Sequence, residues 1–61
     1  MVAMAQTINA GNVVQLKSGG PLMTVKTVGD NYGILSAWTV WFENTKRMEG
    51  VFPVITLVLA D

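Results

Sequence analysis

Sixty-one residues with no cysteine and no histidine leave room for one domain and exclude both a disulfide framework and the usual soft metal ligands. Four basic residues (Lys17, Lys26, Lys46, Arg47) balance four acidic ones (Asp30, Glu43, Glu49, Asp61), so the formal charge is zero, which disfavours nucleic acid as the main ligand. The chain is 51% hydrophobic and only 13% charged, against about 25% charged in an average soluble domain, and so small a domain has little interior in which to hide that surplus.

Met1 to Ala5 is apolar, but it is too short for a signal-peptide core and lacks a preceding basic region. No run approaches the roughly 18 residues of a membrane span. A cytoplasmic location without membrane contact is the expectation. Residues 1–10 keep no steady period, and Thr7, Asn9 and Gly11 suit a flexible N-terminal segment better than a helix. The domain proper is expected over residues 11–61.

Val13-Val14-Gln15-Leu16 reads as a first strand, closed by Ser18-Gly19-Gly20-Pro21. The glycines there can take positive φ, and Pro21 has no N–H to give to a ladder. Leu22 to Val28 alternates as a second strand, with Met23 and Val25 on one face and Thr24 and Lys26 on the other. It is expected to end at a five-residue turn, Gly29-Asp30-Asn31-Tyr32-Gly33. Leu35 to Phe42 is the longest strand candidate, and both of its faces are apolar: Ala37, Thr39 and Trp41 on one, Trp38, Val40 and Phe42 on the other.

Glu43-Asn44-Thr45-Lys46 supplies a hairpin turn, after which Arg47 to Phe52 returns as a fourth strand. Pro53 is expected to stop that ladder, so Pro53-Val54-Ile55-Thr56 reads as a turn or 3₁₀ segment before a closing strand, Leu57-Val58-Leu59. The pattern is all-β, about five short antiparallel strands in a small barrel or curled meander. Its expected core is Val14, Leu16, Met23, Val25, Trp41, Phe52 and Leu57.

The residues offer little chemistry. Without His or Cys the usual general base and soft nucleophile are missing, and no two carboxylates sit at a spacing that obliges them to meet. Glu43 and Glu49 at a hairpin read as solubilising charges. No enzyme activity, cofactor or metal is expected. The Gly19-Gly20 turn, with Lys17 beside it and Lys46 and Arg47 elsewhere, is a candidate contact for an anion or nucleotide, and an aromatic ring such as Tyr32 or Trp38 would stack on a base. Against that, Pro21 removes a donor and a strand follows where a phosphate cradle needs a helix. A tight β-turn is the simpler account.

Period-two alternation puts Trp38 and Trp41 on opposite faces of one strand. A barrel strand should show one face to water, so the apolar row Trp38, Val40 and Phe42 is the expected interface, with another copy of the chain or with a protein partner.

Gly11-Asn12-Val13-Val14-Gln15-Leu16-Lys17-Ser18-Gly19-Gly20-Pro21-Leu22-Met23-Thr24-Val25 resembles the opening signature of the YodC-like family, small uncharacterised proteins of bacteria and their phages. Trp41-Phe42, Phe52-Pro53 and Leu57 are similar to that family's second half, so the likeness spans residues 11–59. It implies an SH3-like barrel whose first strand and turn resemble the KOW type of RNA- and protein-binding module. Asn12 stands where the family usually has Asp, and both make Asx hydrogen bonds. The family's third strand tends to alternate with polar residues, whereas this chain has Trp38 and Val40 there, which puts apolar bulk on the outward face. Three functions follow as expectations: a non-catalytic interaction module that self-associates or docks on a protein, a KOW-like nucleic-acid or nucleotide binder, or a phage counter-defence protein that blocks a host enzyme or sequesters its signal.

Overall fold

The computed structural model describes residues 7–60. Five strands follow one another: β1 (Val13–Leu16), β2 (Met23–Asn31), β3 (Ile34–Glu43), β4 (Lys46–Pro53) and β5 (Leu57–Leu59), with a single 3₁₀ turn at Val54–Thr56 before the last. All pairings are antiparallel, and the order across the sheet is β4-β3-β2-β1-β5. The first four strands are joined by hairpin connections, which need only short links. The 3₁₀ turn then redirects the chain so that β5 returns beside β1. Backbone bonds from Lys17 N–H to the Thr56 carbonyl and from Ala60 N–H to the Val13 carbonyl, both 2.9 Å, hold it there. This is the strand order of an SH3-like barrel, the fold that the family resemblance implied, and its five antiparallel strands are those the alternation and turn spacings led one to expect.

The core lies on the concave side, where Val14 of β1, Met23 and Val25 of β2, Ala37 of β3 and Leu57 of β5 are all buried. Leu16, Trp41 and Phe52 pack against them as a half-buried rim, joined by Val28, Val54 and Leu59. Every expected core residue is therefore on the concave side. One further member is Ile8, 6% exposed. Its chain is brought in by a turn in which Asn9 N–H donates to Asn12 Oδ1 at 2.7 Å and Asn12 N–H to the Asn9 carbonyl at 3.1 Å. Gly11 N–H and the Asn12 carbonyl then bond to the backbone of Val25, extending the β1–β2 ladder backwards. Packing thus begins by Ile8, ahead of the expected boundary at residue 11; the first six residues of the expected flexible segment, and Asp61, lie outside the described residues.

Three local expectations are corrected. The second strand runs to Asn31, so the expected five-residue turn shrinks to Tyr32-Gly33. Both turn residues have positive φ, 53° and 82°, the geometry of a type I′ turn whose twist matches that of the flanking strands. Asp30 Oδ2 accepts from Gly33 N–H at 3.1 Å and stiffens it. Second, strict alternation fails within β2. Val25 opposes Thr39 and Thr27 opposes Trp38, leaving Lys26 as the extra residue of a β-bulge. The bulge reverses the phase of the strand, and Val28 rather than Thr27 turns to the core. Third, Pro53 belongs to the ladder, opposite Ser36, because β4 is an edge strand and Pro is tolerated at the end of an edge.

Candidate interaction surface

The convex face of the sheet is built by three cross-strand rows. Thr24 of β2, Val40 of β3 and Glu49 of β4 form one; Thr27, Trp38 and Val51 form the next; Phe42 opposes Arg47 at the end of β3. Alternation along β3 fixes which side chains appear here, because their neighbours Ala37 and Thr39 are committed to the core. Thr39 carries that commitment chemically: buried, its hydroxyl donates to the Gly50 carbonyl at 3.0 Å, with Met23 Sδ 3.7 Å away.

The three residues expected to form an interface are on this face together, but unequally available. Phe42 is 65% exposed, while Trp38 and Val40 are half-buried. Trp38 owes its cover to the chain itself. Gly29 sits diagonally across from it, and a Cβ at that glycine would lie 3.7 Å from Cζ3 of the indole. The ring fills space that a side chain on β2 would otherwise take. Val51, 40% exposed, stands directly opposite Trp38 and widens the apolar row. Sequence reasoning passed over Val51 because the register of β4 against β3 was needed to place it.

Charge crosses this apolar row at one point. Glu49 receives Arg47 on one carboxylate oxygen and Lys26 Nζ on the other, the latter at 3.6 Å. The hydrogen bond from Arg47, with the positive fields of Arg47 and Lys26, holds the Glu49 carboxyl below the ordinary glutamate range. Lys26 reaches it from β2, where its side chain shares the convex side with Thr24.

The candidate anion residues come to the same end of the sheet, since the start of β2 pairs with the end of β3. They do not form a cradle. Gly19 and Gly20 have φ of 107° and 114°, conformations that favour glycine, yet Gly19 N–H is spent on the Leu16 carbonyl at 2.9 Å. The Gly20 carbonyl accepts from Gln15 Nε2 at 2.7 Å, and Arg47 is held by Glu49. Lys17 and Lys46 make no ion pair among the described residues. No three carboxylates gather at metal-binding distance among the described residues, and no helix is long and apolar enough to cross a membrane.

A second apolar surface lies at the opposite end and was not foreseen. Tyr32 is 97% exposed at the β2–β3 tip, with Ile34 and Leu35 exposed behind it. The reading of a long polar turn hid these residues; Gly33, directly before the apolar run that opens β3, was the available signal for a tight hairpin.

A family model described as "Uncharacterized small protein (DUF2158)" matches residues 9–57. Searches of curated proteins and of solved structures find no match.

Proposed function

We propose that this chain, which belongs to the DUF2158 family of uncharacterised small proteins, is a non-catalytic interaction module that binds protein through the convex face of β3 and β4. One observation carries this reading. Trp38, Val40 and Phe42 share that face with Val51, and the outermost of them, Phe42, is 65% exposed. Contiguous apolar surface of this kind on a small domain marks a contact site, and aromatic residues are enriched where such contacts are strongest. The run Leu16 to Val25, which resembles the YodC-like signature, forms the end of β1, the glycine turn and the start of β2. Within this reading it sets the fold, and the apolar β3 face supplies the binding. The cytoplasm is the proposed location.

The test is Phe42→Thr, which keeps a β-favouring residue and removes the exposed ring. Far-UV circular dichroism is expected to be unchanged while the sedimenting mass falls towards that of a single chain. Trp38→Lys is expected to act in the same direction. If it unfolds the protein, Trp38 is a core residue and the proposal fails; if both variants fold and sediment as the wild type does, the face is not a binding surface.

A further inference from the structure

We infer that a partner of this protein is a second copy of the chain, joined to the first edge to edge by antiparallel pairing of the two β4 strands about a two-fold axis between their Met48 residues. The inference goes beyond the interaction reading above: it concerns the β4 edge that borders the convex face, and it names the occupant of that edge.

β4 is an edge strand of eight residues, bonded to β3 on one side and, among the described residues, to no strand on the other. An open edge of that length is a template for another strand. Charged residues on edges normally deter such pairing, and Lys46, Arg47 and Glu49 serve that purpose against most strands. Against itself, the same strand is selective. Two copies of one strand that pair antiparallel about an axis normal to the sheet must place residues of the same face opposite each other. The axis therefore passes midway between a residue and its own copy.

Three such registers are centred in the first half of the strand. An axis at Arg47 brings two guanidinium groups together, and one at Glu49 brings two carboxylates together; like charges directly opposite are destabilising. The axis at Met48 sets Arg47 of each copy opposite Glu49 of the other, twice over. It also places Lys46 against Gly50, which has no side chain to obstruct it. One step further, at Gly50, Arg47 would face Pro53, which has no N–H to donate to the new ladder.

The Met48 register continues the convex face from one copy into the next. The rows ending in Phe42–Arg47 and Val40–Glu49 meet their symmetry mates, so the two apolar stretches flank a central cluster of alternating charge. Exposed ion pairs add little affinity. Their role here is to choose the register, while the paired backbone of the joined edges supplies the attraction.

Sedimentation equilibrium of the full chain with R47E, E49R and their equimolar mixture tests this, with circular dichroism confirming strand content in each. The wild type is expected to self-associate. Each variant alone should sediment as a monomer, because it sets like charges opposite in the Met48 register. The mixture should regain the wild-type mass, since the two acidic positions of one variant then meet the two basic positions of the other. A monomeric wild type, variants that associate as the wild type does, or a mixture that stays monomeric would each overturn the inference. Phe42→Thr separates the two levels: if it dissociates the protein while R47E and E49R do not, the convex face stands as a binding surface and the β4 register is wrong.

Discussion

The concave and convex faces of β3 are made by the same ten residues, yet they are finished in different ways. On the concave side Ala37 and Thr39 are buried, the Thr39 hydroxyl has its acceptor, and Trp41 and Phe52 meet with ring centroids 6.2 Å apart. Their approach depends on Gly50, where a Cβ would stand 3.0 Å from the Phe52 ring and 3.2 Å from that of Trp41. On the convex side Trp38 also leans on a glycine, but the row then runs out to an exposed Phe42 and an exposed ion-pair cluster. The difference teaches that an apolar residue on this strand says little about burial until its side is known. One side is completed within the chain, and the other leaves the Phe42 ring exposed.

The contrast can be broken most forcefully from the concave side. Leu57→Ala is expected to lower stability by about 2–5 kcal/mol, because a buried side chain in a domain this small leaves a cavity. Urea denaturation should show a large fall in midpoint, and an unchanged midpoint would mean that the concave side is not the core. Gly50→Val comes next. Its branched side chain must part Trp41 from Phe52, an overpacking cost of about 1–3 kcal/mol, with a change in tryptophan emission as the indole is displaced.

Tyr32 lies beyond both faces and sharpens the comparison with an opposite sign. A non-glycine residue at φ 53° sits in the left-handed region, which disfavours bulky side chains by about 1–2 kcal/mol. Asn is preferred at that turn position. Tyr32→Asn is therefore expected to raise the thermal midpoint by a few degrees; a lowered midpoint would show that the exposed ring packs on the fold.

The smallest effect belongs to the convex ion pairs. The folded-state pKa of Glu49 is depressed by Arg47 and Lys26, so its contribution to stability is present above the ordinary glutamate range and fades as pH falls through the lowered value. Glu49→Gln should be slightly less stable than the wild type near neutrality and indistinguishable from it in strong acid. An equal difference at both ends of a pH series would assign the effect to something other than charge.

Much of the fold was legible locally. Alternation in β1 and in the first half of β2, the glycines before Pro21 and the Pro53–Thr56 interruption each have a one-residue or two-residue cause that needs no knowledge of the rest. The errors fell where a distant partner decides. Whether Gly29 starts a turn or lies under an indole depends on Trp38, nine residues away. The phase of Val28 depends on a bulge defined only against β3. Ile8 reads as part of a lead because its burial is created by strands that follow it. The convex row was visible as Trp38, Val40 and Phe42, whereas Val51 and the Lys26–Glu49–Arg47 cluster required the register of β4.

The sequence by itself determined the all-β class, the strand periods and which side chains of β3 must oppose each other, because side-chain alternation is a property of each strand alone. Only the tertiary structure decided how far each apolar residue is covered, which charges meet, and which edge stays open. Those depend on register and on the curl of the sheet, and both are set by contacts between residues far apart in the chain.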